Sequence, residues 1–284
     1  MLIGLRYLTL TVCLLLVPVR SLAAEDRLPI FDGHIHYSHD VWAVLPAAEA
    51  IAILRRAGIR RALVSSANND GTQMLVAEAP DMIIAELRPY RKRGEIATWF
   101  NDPTIPGFLE QQLRRAHYVA IGEFHVYGRQ VELPVVQQTI AIAGRHQLLL
   151  HAHSDADAIE RIFKADTAAR VLWAHAGFEP VERVLGLLRQ YKTLWCDLAV
   201  RNDPAHSGKV VPEWRAAFEE FPDRFLLGTD TYTPERWHYV EPHADWAREW
   251  LKDLPDDLAE RIAWKNGEAL FAPAVVKAQS SPQR

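Results

Sequence analysis

Apolar, strand-like runs alternate with amphipathic stretches along most of this 284-residue chain. Residues 28–36 form the first run. Residues 46–57 follow with Ala47, Ala50, Ile51 and Leu54 at helical spacing, and Gly58 ends that stretch. Further short apolar runs at 61–65, 82–87, 118–123, 148–151, 171–175, 194–199 and 225–230 predict seven more strands. Helices are predicted at 72–79, 105–115, 134–145, 155–164, 179–189 and 212–221, with Pro134 at the tolerated first turn and Ser154 as a cap. Two helices close the pattern, at 243–251 and 255–270, with a break near Gly267. The connection 88–106 is long and rich in charge, proline and aromatic residues, as functional loops are.

Eight strand–helix units in alternation imply parallel strands joined by crossover helices. Right-handed crossovers and the count of eight favour an α/β architecture, a closed (β/α)8 barrel forming one domain over residues 25–272. An open doubly wound sheet is the alternative. Its nucleotide-binding form is disfavoured, because no glycine-rich phosphate fingerprint follows the first strand.

Residues 1–24 read as a signal peptide: Arg6, an apolar run over 8–19, then Ser21-Leu22-Ala23-Ala24. The run is shorter than the roughly 20 residues of a membrane span, leaving an uncleaved anchor as the alternative. The expectation is therefore an exported protein, periplasmic or secreted, without stable membrane insertion. Cys13 lies within the leader, so the mature chain keeps Cys196 alone and forms no intramolecular disulfide. Residues 273–284 read as a frayed tail. A formal charge of −4 and a pI near 6.3 give no reason to expect a nucleic-acid partner. A small-molecule substrate is expected, and a homo-oligomer is compatible with the sequence.

The chemistry gathers at predicted strand ends. His34 and His36 end the first strand, and their spacing puts both imidazoles on one face. Glu123 ends the fourth, His151 the fifth, His175 the sixth and Asp230 the eighth. In a barrel these ends open at one mouth. Imidazoles with carboxylates suit zinc, manganese, iron or nickel rather than calcium. Such an ion can hold a water whose pKa falls to about 7.

The pattern resembles the amidohydrolase superfamily of metal-dependent hydrolases. Within it the chain is similar to the amidohydrolase-related set, which includes aminocarboxymuconate-semialdehyde decarboxylase-like and pyrone-dicarboxylate lactonase-like enzymes. At Gly122-Glu123 it resembles the TatD-like hydrolases. The resemblance runs from Asp32-Gly33-His34-Ile35-His36 to the closing motif Asn266-Gly267-Glu268-Ala269-Leu270-Phe271. It implies one or two divalent ions, zinc first, on His34, His36, Glu123, His151, His175 and Asp230. It also implies that Asp230 shuttles the proton. Glu123 implies two ions, although many decarboxylase-like members lack that residue and use one.

Around this set, Arg88 and Arg91 are candidate forks for a carboxylate or phosphate, and a solvated charged face is their alternative. His125 and His153, each two residues past a candidate ligand, are candidate substrate contacts nearer solvent. His151 is preferred to His153 as the ligand because it directly follows Leu148-Leu149-Leu150. Asp197 reads as a supporting residue, and Trp99, Trp173, Trp195 and Trp237 as pocket or core. The expected function is metal-dependent hydrolysis of a small carboxylate-bearing lactone, amide or ester. Non-oxidative decarboxylation and a non-catalytic metal- or ligand-binding barrel are the alternatives.

Overall fold

The computed structural model describes residues 27–272. Both the expected leader and the expected tail lie outside them. Eight strands pair in sequence order, all parallel. They are β1 (Ile30–His36), β2 (Ile59–Ser65), β3 (Ile83–Leu87), β4 (Ala120–His125), β5 (Leu149–His153), β6 (Val171–Trp173), β7 (Leu194–Asp197) and β8 (Phe225–Leu226). The ring closes where Asp32 pairs with Leu227, and the Gly33 N–H donates to the Leu227 carbonyl at 2.8 Å. This single α/β domain is a nearly closed eight-stranded barrel, not an open sheet.

Helices α1 (Ala47–Arg56), α2 (Asp70–Glu78), α3 (Ile105–Arg115), α4 (Pro134–His146), α5 (Ala156–Ala165), α6 (Val181–Gln190), α7 (Pro212–Glu220) and α8 (Val240–Leu251) cross between strands or follow the last one. Their apolar stripes bury against the outer face of the sheet, as α5 does with Ile159, Ile162 and Phe163. Asp155, not Ser154, caps α5: its carboxylate accepts the Ala158 N–H at 2.9 Å. The Ser154 carbonyl instead accepts the Trp173 indole N–H at 2.7 Å. A small hairpin, Ala205–His206 with Lys209–Val210, interrupts the β7–α7 connection and had no sequence signal. No helix among the described residues is long and apolar enough to cross a membrane.

Inside the barrel, Phe31, Leu63, Ile84, Leu149, Leu172 and Leu226 form an apolar floor. Each such side chain, fully buried, contributes roughly 1.5–3 kcal/mol. The last helix plugs the floor from below. It runs on from α9 (Asp256–Glu260) through a π-helical turn at Arg261–Lys265, so the irregularity lies before Gly267 rather than at it. Gly267 is helical, and only glycine fits there, because a Cβ would stand 2.2 Å from the Phe31 ring. Phe271 then stacks on Phe31 with centroids 5.6 Å apart. Asn266 donates to the carbonyls of Pro222 and Phe225, both at 2.9 Å, and fixes the entry to β8. The closing motif thus anchors β8 and fills the barrel's closed end, leaving the other end for chemistry.

Candidate metal centre

At the open end, ring nitrogens and carboxylate oxygens converge. His34 Nε2 stands 3.2 Å from His36 Nε2, and His36 Nε2 stands 3.2 Å from Glu123 Oε2 and 3.4 Å from Asp230 Oδ1. His34 Nε2 is 3.5 Å from Glu123 Oε1 and 3.8 Å from Asp230 Oδ1. His175 Nε2 approaches the same carboxylates at 3.6 and 3.9 Å. Donors about 2.1 Å from one ion lie about 3.0–3.4 Å apart in octahedral or tetrahedral order, so the spacing suits a shared cation.

The tautomers make the same point. His36 Nδ1 faces the Ser65 carbonyl at 3.0 Å, and His175 Nδ1 faces the Ala199 carbonyl at 2.8 Å. His34 Nδ1 faces Asp197 Oδ2 at 3.3 Å. These acceptors place the hydrogen on Nδ1 in all three rings and leave three Nε2 lone pairs directed into the cluster. Asp230 Oδ1 is buried there without a hydrogen-bond partner among the described residues. Burial opposes charge on His34, yet Asp230, Asp197 and Glu123 together hold its pKa well above 6.5. His36 beside it is pushed down, by burial and by Arg88. The site therefore favours positive charge and supplies lone pairs to hold it, which fits a divalent ion.

His151 packs against His34 from below, ring centroids 4.6 Å apart. β5 runs on to His153, and alternation points both histidines inward, one layer apart. His151 lies in the deeper layer, with Nδ1 3.2 Å from Glu86 Oε2 and Nε2 3.0 Å from Asp197 Oδ2. Burial opposes its charge, but the two carboxylates raise its pKa to about 9. His34, His151 and Asp197 form another group close enough for a cation, with Asp197 Oδ2 3.3 Å from His34 Nδ1 and 3.0 Å from His151 Nε2. At the mouth it is His153 that meets Glu123, Nδ1 to Oε1 at 2.8 Å. Glu123, His125 and His153 form a further group close enough for an ion. The apolar run that favoured His151 marks the strand's depth, not its end.

The cluster floors a cavity of about 500 Å³. His125 lines it, stacked on His153 with centroids 4.1 Å apart and held by the Tyr90 hydroxyl at 2.9 Å. Burial pushes the His125 pKa down to about 3, so its ring is neutral. Arg88 lines the cavity as well, but its fork is engaged: Nη2 donates to Glu123 Oε2 at 2.8 Å and Nε to the Glu123 carbonyl at 3.1 Å. Arg91 is outside the lining, tied to Glu95, Asp102 and Thr104 of its own loop. Both guanidinium groups are thus engaged by carboxylates of the protein. Trp99, Trp173 and Trp237 are fully buried core residues, and Cys196 is buried and free.

The sequence profile of the amidohydrolase family matches residues 31–272. The chain belongs to the amidohydrolase family. It is an enzyme of the amidohydrolase type, in general terms a metal-dependent hydrolase, which sets aside the non-catalytic barrel. Among solved structures, a TatD homologue from Escherichia coli K12 is similar at 20% identity and TM-score 0.58, covering 86% of this chain and 98% of that one. A putative 2-pyrone-4,6-dicarboxylic acid hydrolase from Pseudomonas putida aligns at 13% identity and TM-score 0.58, covering 87% and 98%. An uncharacterised TIM-barrel protein from Bordetella bronchiseptica aligns at 15% identity and TM-score 0.57, covering 87% and 99%. At these identities the likeness establishes the shared fold. No curated protein matches the sequence significantly.

In this amidohydrolase two cluster residues lie beyond their strands. His175, Ala176, Gly177 and Phe178 have φ of +56°, +45°, +64° and +53°, and Asp230 has φ +51°. Such left-handed backbone is costly for non-glycine residues and persists only where its surroundings hold it. Buried Arg201 holds the first turn, donating to the carbonyls of His175 at 3.1 Å and Glu179 at 3.0 Å. Arg236 holds the second, donating to the carbonyls of Asp230 at 2.6 Å and Thr229 at 2.8 Å. Asp32 locks Thr229 to β1 by accepting its N–H at 3.1 Å and its hydroxyl at 2.7 Å. Glu86, Arg201 and Arg236 had no sequence signal beyond their charge, and Asp32 had its place beside His34.

Proposed function

We propose that this amidohydrolase cleaves a lactone, amide or ester bond in a small carboxylate-bearing substrate, using a divalent ion held by His34, His36, Glu123 and Asp230, with His175 at its edge. The convergence of three bare Nε2 lone pairs on two carboxylates, one with an unpartnered buried oxygen, carries this reading. Zinc suits the donor set best, with manganese, iron or nickel also compatible. Such an ion would supply Lewis-acid polarisation of the scissile carbonyl and acidify a water.

The chain's own residues do the rest. Asp230, with Oδ1 turned to the ion site, takes the proton of the attacking water on its other oxygen, Oδ2, and passes it to the leaving group. His125 and His153, stacked at the cavity wall, contact the substrate beside the scissile bond. Arg88 draws charge from Glu123 and fixes its carboxylate. That pairing favours one ion over two, and with one ion, non-oxidative decarboxylation stands as the second reading.

We also infer export to the periplasm or medium, from residues 1–24 alone. Metal analysis of the purified protein, followed by ester, lactone and amide panels with carbon dioxide detection on aromatic acids, tests the catalytic reading. His34→Ala and Asp230→Asn are expected to abolish turnover while circular dichroism stays unchanged. Full activity in both variants would sink the assignment.

A further inference from the structure

We propose that Arg93 reads an anionic group of the substrate, while Ile96, Phe178 and Tyr232 take an apolar body lying between that group and the scissile bond. This deepens the hydrolase reading and rests on it for the chemistry at the cavity floor.

Three arginines stand near this loop, and two are committed. Arg88 holds Glu123, and Arg91 is spent on Glu95, Asp102 and Thr104. Arg93 lines the cavity that Glu123 and Asp230 also line. Among the described residues its guanidinium meets one carboxylate at contact distance, Asp40, through Nη1, and Glu235 acts on it at longer range. The rest of its fork is open, and Arg93 and Asp40 are both partly exposed, at 43% and 29%. Exposed ion pairs of this kind contribute little. An incoming carboxylate or phosphate can therefore take a bidentate place on Arg93 at small cost. Asp40 keeps its other oxygen, Oδ1, buried without a hydrogen-bond partner among the described residues.

The walls specify the remainder of the ligand. Seven large apolar or aromatic side chains are exposed among the described residues, and three of them, Ile96, Phe178 and Tyr232, line this one cavity. Exposed apolar side chains gathered at one concave site mark a binding surface. An anionic end at Arg93, an apolar body against Ile96, Phe178 and Tyr232 and a scissile group at Asp230 describe an amphipathic monoanion.

The test is calorimetric titration of the purified, metal-containing protein with 3-phenylpropanoate, its neutral amide and propanoate. The wild type is expected to bind 3-phenylpropanoate about ten- to hundredfold tighter than either control, as a charged hydrogen-bonded pair allows. Arg93→Gln should erase the preference over the amide, Arg93→Lys should keep part of it, and Asp40→Asn should increase it. Phe178→Ala should narrow the gap between 3-phenylpropanoate and propanoate. Equal affinities in wild type and Arg93→Gln overturn the proposal, as does binding that survives Arg93→Gln and disappears on chelation, which places the anion at the cluster. No binding of any probe also overturns it. Ester and lactone hydrolysis is read separately: an intact anion preference without turnover leaves Arg93 standing and sinks the hydrolase reading. Turnover without anion preference does the reverse.

Discussion

Glu123 reaches the cluster through a place in β4 that only glycine can occupy. Gly122 has φ +152°, and a Cβ there would lie 2.3 Å from the His151 carbonyl oxygen, 2.7 Å from His151 Cβ and 2.8 Å from Glu86 Oε1. Backbone and a clamped imidazole cannot yield as a flexible side-chain tip would. Gly122→Ala must then move β4 away from β5 by about 1 Å to restore van der Waals separation. Overpacking costs about 1–3 kcal/mol and unfavourable φ about 1–3 kcal/mol more, so a loss of about 2–6 kcal/mol is expected. Glu123 is the next residue, so the shift also withdraws its carboxylate from His34 and His36. The assay is urea denaturation with metal stoichiometry, run beside Gly186→Ala. Gly186, inside α6, has nothing within 4 Å of its would-be Cβ, and alanine there should stabilise by about 0.5–1 kcal/mol. An unchanged urea midpoint and full metal content in Gly122→Ala would refute the reasoning.

Three further outcomes are expected. Burial raises the Asp32 pKa from 3.8 to about 6, so between those values the folded state holds more protons than the unfolded one and stability falls as pH rises, by about 3 kcal/mol across the window. In chelator-treated protein, Asp32→Asn should remove that slope from urea midpoints taken between about pH 4 and 7, and parallel profiles would contradict it. Arg201→Met should cost about 2–4 kcal/mol, because it strips the donors from the His175 and Glu179 carbonyls, and should weaken metal binding as His175 leaves the cluster. Zinc at about a hundred times its dissociation constant should raise wild-type stability by about 2.7 kcal/mol, and His36→Ala should lose most of that response.

The barrel was legible because its strands are short apolar runs between turn signals, and parallel strands buried on both faces read that way. His34, His36, Glu123 and Asp230 were legible for the same reason, since strand order alone brings their neighbourhoods to one mouth. Depth was not legible. His151 and His153 share a face, and only the register of β5 against β4, with Gly122 opposite His151 and His125 opposite His153, decides which reaches the mouth. Nor was it legible which arginine would be free. Arg88, Arg91 and Arg93 differ in their partners, and those partners come from β4, from the local loop and from the β1–α1 connection. In the sequence the turns carrying His175 and Asp230 look like strand ends, because left-handed backbone leaves no mark on an alanine or an aspartate. Their arginine clamps lie 26 and 6 residues further along the chain.

The two layers also bear on how many ions the site can hold. Glu86 and Asp197 flank His151 below, and Glu123 and Asp230 face the rings of His34, His36 and His175 above, with Arg88 on Glu123. Counted with His34 neutral, as it must be when an ion takes its Nε2 lone pair, those four carboxylates face two cations, Arg88 and the His151 imidazolium, which leaves two negative charges in a buried space. Unpaired buried charge costs several kcal/mol, so one divalent ion balances this set and a second would overshoot it. Releasing Arg88 changes the count. Arg88→Met takes the arginine from Glu123 and adds one uncompensated negative charge beside His153 and His125, which already form an ion-sized group with it. The wild type should then bind one ion per chain, and the variant should take up a second at higher zinc. Two ions bound tightly by the wild type would show that Arg88 does not set the count.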